Sequence, residues 1–216
     1  MKADADAMRI QPSNTEAIFE TGQVRADHYR VLARLLAGPP TAELLAVLQR
    51  IDPCNIGSAA LRNRWRELKT AASQAETAAL KSAYQKLFIG LGRGEVVPYA
   101  CHYLTGRLMD APLVGLRTAL GQFGMVRRAD LAEPEDHAAA LCEVMALLCG
   151  EEESNGTVGK FFDTYVASWV PSFFKDLKHS TPGGFYRAVA AFGEDFIATE
   201  IRHYARKPSG VCNTVS

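Results

Sequence analysis

The chain has 216 residues, about half of them hydrophobic (48%), and its 24 basic side chains balance 24 acidic ones. That length can bury one sizeable core, and the balanced charge, with no Lys/Arg stripe interleaved with aromatics, excludes the electrostatic footprint of a nucleic-acid or anionic-membrane binder. Five scattered cysteines (Cys54, Cys101, Cys142, Cys149, Cys212) form no C-x-x-C pair and read as reduced thiols. Residues 1–14 lack the apolar stretch of a signal peptide, and no apolar run approaches the roughly twenty residues of a membrane span. The expectation is a cytoplasmic protein with no membrane span.

Residues 1–20 carry little to bury and read as a flexible segment. From residue 24 to 37, Tyr29, Leu32 and Leu36 form a helical stripe, stopped by Gly38-Pro39-Pro40. Thr41 caps a short helix carrying Leu44, Leu45 and Leu48. Helices follow over 58–72, with Leu61, Trp65 and Leu68, and over 76–89, with Leu80, Tyr84, Leu87 and Phe88. Gly90 to Gly94 stops the latter. That glycine-rich loop follows a helix rather than a strand and lacks a P-loop lysine, so it reads as a helix end before a phosphate cradle.

Pro98 opens a short helix with Tyr99, Tyr103 and Leu104, and Asp110 caps another with Leu113, Leu116, Leu120 and Phe123. A connector near 125–133 leads to Glu133-Pro134-Glu135-Asp136-His137. Pro134 after an acid suits the first turn of a helix, which is expected to run through Leu148 with His137, Leu141, Val144 and Leu148 on one apolar stripe. After an acidic, glycine-bounded linker, Val158, Phe161, Phe162, Tyr165 and Trp169 share a face that Pro171 must break or kink. Phe185, Val189, Phe192, Phe196 and Tyr204 mark the last helix, and 207–216 reads as a flexible tail. Strand alternation is absent, so the expectation is an all-α, multi-helix bundle of nine or ten helices. Residues 21–206 would form one domain, in two helical groups joined by the connector.

The five histidines are isolated and there is no H-E-x-x-H, so no metal site is expected. No nucleophile elbow or comparable signature recommends catalysis. Asp136 and His137 fit two roles, of which spacing favours the first: capping a helix and bonding a neighbouring loop, or anchoring a polar ligand at the mouth of an apolar seam. A groove of Tyr84, Leu87, Phe88, Tyr99, Tyr103 and Trp169, with Glu133, Glu135 and Asp136 at one end, would suit an apolar peptide preceded by arginines.

Three stretches, in order, resemble the TorD/DmsD/NarJ family of redox-enzyme maturation chaperones, nearer the TorD and DmsD branch. These are Tyr84 to Gly90 followed by Gly94 to Tyr103, then the E-P-x-D-H motif at Glu133 to His137, and the W-x-P-x-F run from Trp169 to Phe173. The resemblance implies an all-helical cytosolic chaperone without catalytic activity or resident cofactor. Such a protein binds the twin-arginine signal peptide and apo form of a molybdopterin oxidoreductase, of the formate dehydrogenase or dimethyl sulfoxide reductase type. It assists cofactor insertion and delays export until maturation. It further implies possible contact with molybdenum-cofactor synthesis proteins and a monomer or helix-exchanged homodimer. Asp136 and His137 would be peptide-binding positions, Glu133 and Pro134 would shape the loop, and Leu87, Phe88, Pro98, Tyr99 and Tyr103 would line the groove. Cys101 stands where the family has serine, and Tyr99 where many members have tryptophan. The alternative is a helical nucleotide-binding protein or enzyme using the Gly90 to Gly94 loop.

Overall fold

A computed structural model describes residues 21–56, 58–90, 94–126, 133–150, 156–181 and 184–206. The two terminal segments expected to be flexible, the centre of the glycine-rich loop, most of the connector and most of the acidic linker lie outside the described residues. Among those described there are ten α-helices and no strand. They are α1 (Gly22–Ala37), α2 (Ala42–Arg50), α3 (Ala59–Ser73), α4 (Thr77–Tyr84), α5 (Ala100–Thr105), α6 (Ala111–Gln122), α7 (Ala138–Gly150), α8 (Thr157–Phe162), α9 (Val170–Ser180) and α10 (Phe185–Arg206). The fold is the all-helical one that the apolar periodicity predicts.

The starts of the early helices follow local chemistry. Thr21, Thr41, Ser58 and Asp110 each turn a side-chain oxygen onto a first-turn amide, satisfying one donor that a helix leaves open. Two helices loosen at their ends: α4 passes into a π turn at Gln85–Ile89 and α8 into another at Asp163–Ala167. Gly90, at φ 61°, ends the first of these, its amide donating to the Gln85 carbonyl at 2.7 Å. Pro171 does break the chain's helical run: Trp169 becomes the residue before a new helix, with proline in its first turn, where no amide hydrogen is needed.

Tyr29, Leu32 and Leu36 on α1 pack with the α7 face of Leu141, Met145 and Leu148. α10 lies against both α3 and α9, joining Trp65, Phe173, Phe174, Phe192 and Phe196 in the same buried cluster. Gly193 permits this: a Cβ there would sit 2.2 Å from the Phe174 ring. A buried ion pair ties α1 to α10, Arg25 giving two parallel 2.8 Å hydrogen bonds to Glu200 and a third bond to Tyr204. Burial works against the Arg25 charge, but the Glu200 bonds outweigh it and hold the guanidinium protonated.

The expected helix through the E-P-E-D-H motif starts later than its sequence implies. Residues 133–136 form a turn, closed by the His137 amide on the Pro134 carbonyl at 3.1 Å, and α7 begins only at Ala138. His137 is therefore the residue before the helix rather than a member of its stripe. The reason is a competing partner: Tyr99 and His137 form a single antiparallel bridge. Ala138 donates to the Pro98 carbonyl at 2.8 Å and Ala100 to the Asp136 carbonyl at 3.0 Å.

Candidate functional site: the cross-capped loop

The bridge brings the starts of α5 and α7 side by side, and the two motif residues each cap one of them. Tyr99 offers α5 no side-chain cap. Asp136 supplies it from 35 positions away, its Oδ2 accepting the Cys101 amide at 3.0 Å. His137 caps its own helix, Nδ1 accepting the Ala139 amide at 3.1 Å. That bond fixes the neutral ring with its proton on Nε2. Burial holds the imidazole below its ordinary range, against a smaller pull upward from Glu133 and Asp136.

Asp136 is 2% exposed, and its second oxygen, Oδ1, is buried with no hydrogen-bond partner among the described residues. A buried acceptor without a donor is costly. The Cys101 thiol lies against the same carboxylate, but it is a weak donor, and it also faces the Asp110 carbonyl at 3.6 Å. Burial first, then a weak hydrogen bond to Asp136, pushes the thiol above its ordinary pKa, so it stays protonated.

Around this pair the acidic side chains of the loop are already engaged. The Tyr99 hydroxyl donates to Glu133, and burial followed by that bond keeps the phenol protonated well beyond its usual range. The Tyr99 ring meets His137 edge-on at 5.1 Å. Arg117 on α6 grips Glu135 with two hydrogen bonds of 3.0 and 2.9 Å.

The structure gathers Pro98, Tyr99, Glu133, Pro134, Asp136 and His137 into one place. The Leu87-Phe88 element is tied to it through the chain: Val96 donates to the Leu87 carbonyl at 2.9 Å, which carries the segment toward Pro98. Gly94 is required for that approach, since a Cβ would lie 2.4 Å from the Leu87 oxygen. The Tyr84 ring packs tilted against Phe88 at 4.9 Å and feels the Glu133 charge. Tyr103 sits on the other flank, 5.5 Å from the Trp169 ring, with its hydroxyl on Asp176.

Of the expected groove residues, Tyr84, Leu87 and Trp169 are core side chains, at 8%, 4% and 1% exposure, and the Trp169 indole already donates to the Tyr165 carbonyl. Phe88, Tyr99 and Tyr103 are the half-buried ones that present surface. Sequence reasoning missed Arg117. It belongs to no motif, and its partner lies 18 positions away beyond a connector of unreadable path. A separate cavity of about 800 Å³ lies between α3, α4, α9 and α10, with Arg66, Ala79, Phe185 and Arg187 in its walls; none of the motif residues reaches it. Among the described residues no cluster of His, Cys, Asp and Glu could hold a metal ion, and no helix is long and apolar enough to cross a membrane.

Comparison with known proteins adds a family. The chain is 28% identical over 143 residues to the chaperone protein TorD of Photobacterium profundum, covering 60% of this chain and 64% of that one. It is 25% identical over 138 residues to the chaperone protein TorD of Aliivibrio salmonicida, covering 58% and 64%. The match thus spans somewhat under two thirds of these relatives' length. Among solved structures, one from Archaeoglobus fulgidus, described as a candidate redox enzyme maturation protein, shares the fold with a TM-score of 0.56 and 17% identity, over 86% of this chain and 99% of that one. Residues 57–175, more than half of the chain and inclusive of all three motif stretches, match the family described as nitrate reductase delta subunit, and the chain belongs to that TorD-related family.

Proposed function

We propose that this protein is a cytoplasmic maturation chaperone for a molybdopterin oxidoreductase precursor, engaging its twin-arginine signal peptide at the cross-capped loop and delaying export until the cofactor is in place. The observation that carries the reading is the Asp136 carboxylate. One oxygen is spent on the α5 cap, while the other is buried with only the weak Cys101 thiol near the carboxylate. A guanidinium N–H is the donor such an oxygen needs, and a charge-assisted bond there is about twice as strong as a neutral one. Glu133 adds negative charge beside it, His137 and Pro134 hold the loop's shape, and Phe88, Tyr99 and Tyr103 offer half-buried aromatic surface for the apolar stretch of a signal peptide. Pro98 anchors the bridging segment through its carbonyl on the Ala138 amide, with Leu87 and Trp169 as buried support. The family membership and the TorD names of the relatives support the same reading.

Calorimetric titration with a twin-arginine signal peptide, alongside its Lys-Lys variant, tests it. Both run at two salt concentrations, because exposed charge pairs are screened and a partly buried one much less. Binding that weakens on Arg→Lys substitution at both salts is the expected result. Equal binding of the two peptides, or none, contradicts the proposal.

A further inference from the structure

An arginine from a neighbouring helix already reaches the loop. Arg117 projects from α6 and holds Glu135 in a two-bond fork at 3.0 and 2.9 Å, the planar geometry by which a guanidinium recognises a carboxylate. The fork is unequal in exposure: the Glu135 side chain is 14% exposed and Arg117 49%. The carboxylate is thus built into the loop, whereas the cation reaches it from the solvent side. The Arg117 charge is favoured first by the Glu135 bonds and also by Asp136, so the guanidinium sits in the field of two of the motif's three carboxylates.

Beside it lies apolar surface. Val114, one helical turn back from Arg117, is 65% exposed. Met109, just before the α6 cap Asp110, is 74% exposed and held at φ 54°, a left-handed conformation that a methionine adopts at a cost. In a helix start of this kind the residue before the cap and the fourth helical residue are neighbours. Here those positions are Met109 and Val114, and both face solvent. An arginine seat with exposed apolar side chains next to it matches a peptide in which arginine is followed by apolar residues.

We propose that Glu135 is a second guanidinium subsite, kept filled by Arg117 in the free protein, and that a bound peptide's arginine takes the place of Arg117 while its following apolar residues rest on Val114 and Met109. This rests on the arginine-peptide reading above and assigns it a further specificity residue. A Lys substitutes poorly in such a seat, since an ammonium cannot make the parallel fork.

The test is a titration of a twin-arginine peptide into wild type, Arg117→Ala, Arg117→Gln, Glu135→Gln, Arg117→Ala/Glu135→Gln and Val114→Asp, with thermal melts confirming folding. Removing the internal competitor should tighten binding by about fivefold, the scale of a partly exposed ion pair. The gain should vanish in the double variant, and Val114→Asp should weaken binding severalfold. Arg117→Gln keeps the question open to measurement should the alanine variant not fold. Wild-type binding that is unchanged or weaker in both Arg117 variants overturns the subsite and leaves the chaperone reading standing, because Arg117 is then only a clamp between α6 and the loop. Unchanged affinity in Val114→Asp overturns the apolar seat. Absence of binding in wild type and in every variant overturns both readings together.

Discussion

The carboxylate of Asp136 caps a helix that is not its own: its Oδ2 accepts the Cys101 amide at 3.0 Å, across 35 positions of chain. One residue later, His137 caps the helix that follows it. The two caps and the bridge between Tyr99 and His137 lock the starts of α5 and α7 together. The E-P-E-D-H motif therefore has a structural duty that is complete before any ligand arrives, and the ligand duty proposed for it would use what remains, Asp136 Oδ1.

Cys101 decides how much remains. A serine at this position would place a strong O–H donor where a weak S–H now lies, against the Asp136 carboxylate. Cys101→Ser should raise stability by about 1 kcal/mol if the hydroxyl reaches Oδ1, and should lower affinity for an arginine peptide by occupying its acceptor. Urea denaturation paired with titration reads both. A variant that is less stable and binds unchanged would show that Oδ1 is not the oxygen at stake.

The Arg25–Glu200 pair carries a separate prediction. Both side chains are nearly dry, at 6% and 1% exposure, so removing Glu200 strands a buried cation. Glu200→Ala should cost about 3–5 kcal/mol in chemical denaturation. A loss under about 1 kcal/mol would mean that water or a shifted Tyr204 satisfies Arg25.

Acid should weaken the fold partly through His137. Burial holds its folded-state pKa below the ordinary 6.5. The unfolded chain then binds the proton more readily, so this contribution is present above pH 6.5 and is lost as pH falls through the lowered folded value. His203, depressed by burial and then by Arg25, acts in the same direction. His137→Asn keeps a side chain suited to the cap and cannot titrate. Its stability should fall less steeply than wild type between about pH 7 and 5 in urea melts. Equal slopes would remove His137 as a contributor.

Much of the fold was legible because burial follows helical periodicity. The stripes of Tyr29, Leu32 and Leu36 and of Phe185, Val189, Phe192 and Phe196 are buried as read. Gly90 ends one helix and Pro171 sits in the first turn of another, where their backbone chemistry suits them. The start of α7 was not legible, because the favourable helix-start signals at Glu133 and Pro134 lose to a bridge with Tyr99 that local sequence does not encode. For the same reason the α5 cap by Asp136 and the Arg117 grip on Glu135 could not be foreseen; each joins residues on separate elements. Aromatic identity alone likewise could not separate Trp169, which is core, from Tyr103, which lies half-buried over it.

The most direct test of the central claim compares wild type with Asp136→Asn in a titration with a twin-arginine signal peptide. The asparagine retains an oxygen for the Cys101 amide, so the melting temperature should change little while the charge is gone. The account predicts that affinity falls by about thirtyfold or more, ~2 kcal/mol, as expected when a desolvated partner of a guanidinium is neutralised. A folded Asp136→Asn protein that binds the peptide as tightly as wild type would contradict it, and would leave Asp136 as a helix cap alone.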